Sequence, residues 1–269
     1  MVIVKDNHRF YGRTDAGNRL LNEAEVARLY QRRASVEVDF VQELRQEIET
    51  SPIPLDDRRG YLYLLAKPVL PNTPLLDDDL ASSGAAKDSL TAIVDSAQAL
   101  PMRNGWAPDI KYAGNWQRVL EGFHHQFGEA DPAGRLDIQF DFSGDVHLFC
   151  GRGTDNSNGT KVVFGSILAG LAMRFIFMAG TFYETVGYIG NVKLGMLLNG
   201  IGGSVLYSIS HSRYGHAAEP FERDEYIRTS GAAATSLATD YQSLASELVM
   251  PLIAVMSRER ANPFRDLLP

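Results

Sequence analysis

The chain has 269 residues, with 26 basic and 33 acidic side chains, a formal net charge of −7, 45% apolar residues and 22% charged ones. A chain of this length buries about three quarters of its unfolded surface; the composition excludes wholesale disorder or a fibrous repeat, and the acidic balance opposes nonspecific attraction to a phosphate backbone, which needs clustered Lys and Arg. Cys150 is the only cysteine, which excludes an internal disulfide and the framework of a small secreted module and points to a reducing, cytoplasmic compartment.

Residues 1–9 alternate apolar and charged side chains and lack the apolar stretch of a signal peptide. Residues 8–13 read as a strand, followed by a turn through Asp15, Ala16, Gly17 and Asn18 that feeds a helix. Asn22 is the expected N-cap, with Glu25 at capping-box spacing, and the helix continues to about Ile48. Within it Val36, Phe40, Val41, Leu44 and Ile48 recur at intervals of three and four, a stripe that ordinarily faces a core. The sharper alternative is a dimer seam, which makes the helix of residues 22 to 50 an element of homo-oligomerisation. Residues 51–54 carry two prolines that stop it. The chain is thereby divided into residues 1–54, a strand and a long helix, and residues 55–269, an α+β accessory or sensor domain.

Residues 60–66 read as an apolar strand, and residues 67–83 as an exposed loop running into a helix N-terminus. That loop carries Asp77, Asp78 and Asp79, but consecutive carboxylates diverge and lack the alternating ligands of a calcium loop, so no metal is expected there. Strands over residues 116–127, 135–142, 145–151 and 161–164 predict an antiparallel meander. Its clearest piece alternates Leu136, Ile138, Phe140 and Phe142 with Asp137, Gln139 and Asp141, turns at Ser143 and Gly144, and continues through Val146, Leu148 and Cys150. Residues 155–159 read as a loop. Residues 162–183 are apolar enough to raise a membrane span, but Lys161 and Arg174 flank or interrupt them; a buried core helix over residues 166–186 is the reading, with no membrane partner. Strands over 192–198 and 204–210 are expected to form a hairpin about Gly200, Gly202 and Gly203, another strand covers 226–229, and a last helix covers 236–258, kinked or broken at Pro251. The fold class expected is α+β: a mostly antiparallel sheet packed against two long helices, preceded by an N-terminal strand and long helix.

The glycines at 200, 202 and 203 match neither the dinucleotide fingerprint nor the phosphate loop, and no cofactor is expected. His124 and His125 are adjacent on a strand, face opposite sides and do not ligate one metal together. The best polar cluster is the loop with His211, His216, Glu219 and Glu222 around Arg213; it holds an acid, a base and a cation, so His211, His216 and Glu222 are the candidates for catalysis, against the plain reading of a solvated loop. No Gly-x-Ser-x-Gly elbow occurs, and Cys150 alternates with buried positions, where a thiol acts as a small apolar group. Arg58, Arg59, Tyr61, Tyr63 and Lys67 make an aromatic and basic candidate surface for nucleic acid, with a half-buried strand as the competing explanation.

The run from His8 to Tyr30, through Phe10, Tyr11, Arg13, Gly17, Glu25 and Leu29, resembles the closing segment of Schlafen-type AlbA_2 domains, in which a strand ending in Tyr-x-Arg precedes a Gly/Ser turn and a helix. Residues 55–269 resemble, in outline, the uncharacterised regions that follow this domain in bacterial proteins. The resemblance implies a nucleic-acid or nucleotide-linked family, while the acidic and lysine positions tied to its activity have no counterpart here, so no family active site is carried over. The function expected is a noncatalytic accessory, sensing or protein-interaction domain. The alternatives are a nucleic-acid-binding module and an enzyme using the His211 to Glu222 loop.

Overall fold

The computed structural model describes residues 2–4, 9–14, 17–20, 23–49, 59–69, 74–76, 84–103, 109–110, 116–127, 136–207, 220–257 and 262–267. They fall into two compact units, residues 1–46 and 47–269.

In the first unit β1 (Val2–Val4), β2 (Arg9–Thr14) and β3 (Gly17–Leu20) form an antiparallel sheet in chain order. The segment expected to turn directly into a helix instead returns as β3, with Gly17 paired to Thr14. Helix α1 (Glu23–Glu49) follows, with Glu23 and Glu25 in its first turn complementing the helix dipole. Asn22, its expected cap, lies outside the described residues. Phe40 and Leu44, one turn apart on the apolar stripe, are buried.

The second unit contains the large antiparallel sheet and confirms the α+β class. Its strands are β4 (Tyr61–Pro68), β5 (Gln117–Arg118), β6 (Gly122–Phe127), β7 (Leu136–Asp141), β8 (Val146–Cys150), β11 (Asn191–Asn199) and β13 (Glu225–Ala233), in the order β13-β11-β4-β8-β7-β6-β5. The meander β5 to β8 forms as its alternation predicts, and Gly144, at φ +94°, takes the left-handed position in the turn between β7 and β8. Strand β4 is inserted between β8 and β11 and is antiparallel to both.

One face of the sheet, with Leu64, Phe140, Leu148 and Met196, packs into a core shared with α2 (Gly84–Gln98), α3 (Gly165–Thr185), α4 (Ala234–Met256) and the short α5 (Pro263–Leu267). Helix α3 is apolar nearly all round because it lies between the sheet and the other helices. By length and composition it is able to cross a membrane, but 83% of its most apolar window is buried. Helix α4 runs unbroken through Pro251.

A smaller sheet joins β9 (Asp155–Ser157), β10 (Thr160–Phe164) and β12 (Val205–Tyr207). It corrects three expectations. Residues 161–164, expected to continue the meander, form β10 in this sheet instead. The loop at 155–159 is a hairpin, with Asn158 (φ 52°) and Gly159 (φ 82°) supplying the two left-handed residues that a tight hairpin turn demands. The glycines at 200–203 do not close a hairpin, because both edges of β11 are already taken by β4 and β13; β12 leaves to pair in parallel with β10.

Candidate functional site

Strand pleating sends alternate side chains to the face of the large sheet opposite the helices. Register then sets rows across that face. Leu65, His147, Gln139 and His124 align over β4, β8, β7 and β6, and Tyr63, Phe149 and Asp137 align beside them. On the other side Lys67 Nζ lies 3.4 Å from an oxygen of Asp145, just ahead of β8. Glu47 enters this group from the last turn of α1.

His147 is held at both ring nitrogens: Nδ1 lies 3.2 Å from Glu47 Oε2, and Nε2 lies 3.2 Å from Asp141 Oδ2. The second oxygen of Asp141 accepts a hydrogen bond of 2.6 Å from Gln139 Nε2. Burial pulls the His147 pKa down, yet the hydrogen bonds to Asp141 and Glu47 outweigh it, with their charges adding to the effect, and raise the ring to about 10. Burial pushes the Asp145 carboxyl upward against the opposing charge of Lys67. His124 Nε2 lies 3.6 Å from Asp137 Oδ1.

A cavity of about 460 Å³ is lined here by the acidic residues Glu47, Glu121, Asp137 and Asp141, by His124 and His147, and by Tyr63 and Phe149. Its size suits a small ligand. At its His147 end, one donor atom from each of Asp141, Asp145 and His147 lies within 4.8 Å of the others.

The residues singled out from sequence fare differently. His211, His216 and Arg58 lie outside the described residues, as do Asp77 to Asp79, while Glu222 is exposed on the segment before β13. Tyr61 and Tyr63 are 2% and 4% exposed, and they form a second apolar cluster with Phe149 and Leu197, with Ile48 packed against it. The Tyr61 ring stacks on Phe149 at 5.8 Å and the Tyr63 ring tilts against it at 4.9 Å. The pair is therefore no open platform for bases, because both rings pack against Phe149 in this cluster. Arg59 is partly exposed at the start of β4, and Lys67 is paired with Asp145.

His124 and His125 face opposite sides as expected: His125 is buried and stacks on Trp116 at 4.6 Å. The backbone amides at residues 201–203 are committed to Asp224 and Phe221, leaving no nest for phosphate. Cys150 is buried, and burial pushes its thiol up to about 11.

Sequence reasoning took Asp137, Gln139 and Asp141 for a merely wetted strand face and passed over Glu47, Asp145 and His147 altogether. A signal existed for part of the group. With a three-residue turn at residues 142–144, which sets Asp141 opposite Asp145, the residues Asp141, Asp145 and His147 share parity and hence a face. Glu47 has no such local signal.

Comparison of the chain with family models, with curated proteins and with solved structures finds no match. Fold and site together define an α+β protein with an acidic cavity on the sheet face opposite α2, α3 and α4, where the last turn of α1 supplies Glu47.

Proposed function

We propose that this protein is a binding and sensing domain whose acidic cavity takes a small, positively charged ligand. The observation that carries the reading is the wall of the cavity, which is lined by four acidic residues, Glu47, Glu121, Asp137 and Asp141. Carboxylates neutralise a cation and accept its hydrogen bonds.

Binding is favoured over turnover on one ground. His147, the most prominent acid–base group, has both nitrogens engaged by carboxylates and is a poor base while it holds its proton. Glu47 is the carboxylate that the last turn of α1 contributes to this wall.

The test is calorimetry and thermal denaturation of the full chain with small amines and guanidines set against carboxylates and phosphates of the same size. Cations are expected to bind and to raise Tm, and the effect is expected to fall in Glu121→Gln and Asp137→Asn. A preference for anions, or cation binding indifferent to both substitutions, overturns the proposal.

A further inference from the structure

We infer that the His147 end of the cavity is a site for a divalent first-row transition-metal cation, with Asp141, Asp145 and His147 as its protein ligands. This rests on the sensing reading above and names a ligand class for it.

The donor set comes first. One imidazole nitrogen and two carboxylate oxygens lie within 4.8 Å of one another, a span that one cation closes by small side-chain movements. Imidazole with carboxylates suits zinc, manganese or ferrous iron, whereas calcium takes oxygen ligands alone. All three residues stand on one hairpin, Asp141 ending β7, Asp145 in the turn and His147 in β8, and the hydrogen bond from Asp141 N to Asp145 O, 2.8 Å, ties its two sides together. The backbone is therefore organised before any cation arrives.

The surroundings are those a metal-binding histidine requires. Such a histidine donates its remaining ring N–H to a carboxylate, which fixes the tautomer and makes the ligating nitrogen more basic. Glu47 Oε2, 3.2 Å from Nδ1, provides this and leaves Nε2 directed at Asp141. Gln139 occupies the other Asp141 oxygen and so restricts the carboxylate's rotation. The cavity beside Asp141 and His147 has room for water to complete the coordination.

Without metal, a proton on Nε2 bridges to Asp141 and the Lys67 ammonium pairs with Asp145. On binding, the cation takes the Nε2 lone pair, that proton leaves to solvent, and Lys67 gives up its share of Asp145. Lys67 thus competes with the metal, a role that a purely structural ion pair would not reveal in a binding measurement.

The experiment is calorimetric titration of the chelator-treated full chain with zinc, manganese and calcium chlorides. Saturable binding of zinc or manganese at one ion per chain is expected, with calcium far weaker. Glu47→Gln is expected to weaken binding by about 10- to 100-fold, and His147→Ala and Asp141→Asn to weaken it at least as much. Lys67→Met is expected to tighten it; this variant and Glu47→Gln keep all three ligands, so they remain informative if loss of a ligand perturbs folding. Absence of saturable zinc and manganese binding, or affinities unchanged across the four variants, overturns the inference. If amines and guanidines still bind through Glu121 and Asp137 while neither metal does, the metal site fails and the sensing reading stands; if neither class of cation binds, both fail.

Discussion

The Nδ1 atom of His147 lies 3.2 Å from a carboxylate oxygen of Glu47, a residue 100 positions earlier in the chain, and the same ring meets Asp141 on its other side. In the metal-free protein this clamp raises the His147 pKa from 6.5 to about 10. A raised folded-state value means that the stabilisation is fully present below pH 6.5 and is lost as pH rises through 10. Chelator-treated wild type is expected to lose on the order of 2–4 kcal/mol of unfolding free energy from this group between those limits. Glu47→Gln is expected to lose less and to titrate at lower pH. Urea unfolding at several pH values, with an NMR titration of the ring, checks both; equal pH dependence in the two proteins contradicts the clamp.

Phe140 is fully buried on the helix-facing side of β7, 4.9 Å between ring centroids from Phe182 of α3 and 5.7 Å from Trp116. Phe140→Ala removes a contact between sheet and central helix and leaves a cavity, at a cost of about 3–5 kcal/mol. Urea denaturation reads the loss, and a change below about 1 kcal/mol would show that the sheet and α3 do not meet there.

Two glycines separate two physical causes. At Gly180 of α3 a Cβ would stand 2.5 Å from the backbone nitrogen of Ala238 and 2.9 Å from Leu237 Cβ, so Gly180→Ala forces α3 and α4 apart and costs about 1–3 kcal/mol. At Gly159 no atom lies within 4 Å, but φ is +82°, and Gly159→Ala costs about 1 kcal/mol through backbone strain alone. Differential scanning calorimetry is expected to rank Gly180→Ala as the more damaging. The reverse order would contradict the helix packing.

Cys150 combines burial with a pKa pushed up to about 11. The native protein is expected to resist alkylation by iodoacetamide at pH 8 and to react quickly once unfolded in urea, since the thiolate is both scarce and inaccessible in the fold. Mass spectrometry over a time course checks this. Labelling of native and unfolded chains at equal rates would place the thiol outside the core.

The amino-acid pattern by itself determined the elements whose cause is local. Alternation through Leu136, Ile138 and Phe140 and the turn at Gly144 set the β7–β8 hairpin, helical spacing through Phe40 and Leu44 set α1, and the apolar run of α3 marked the core helix. Its failures were non-local. Nothing near Gly200 reveals that β4 and β13 occupy both edges of β11, which is what sends β12 to another sheet. Nothing near Tyr61 or Tyr63 reveals that β4 is an interior strand of a seven-stranded sheet, with Phe149 of β8 and Leu197 of β11 packed on the two rings. The site follows the same rule. Asp141, Asp145 and His147 share a face because pleating has a period of two and the local turn at residues 142–144 sets Asp141 opposite Asp145, whereas Glu47 and Lys67 join them only through strand order and the end of α1. Tertiary structure alone decided that meeting, because the distance between residues remote in the chain is set by packing and not by local preference.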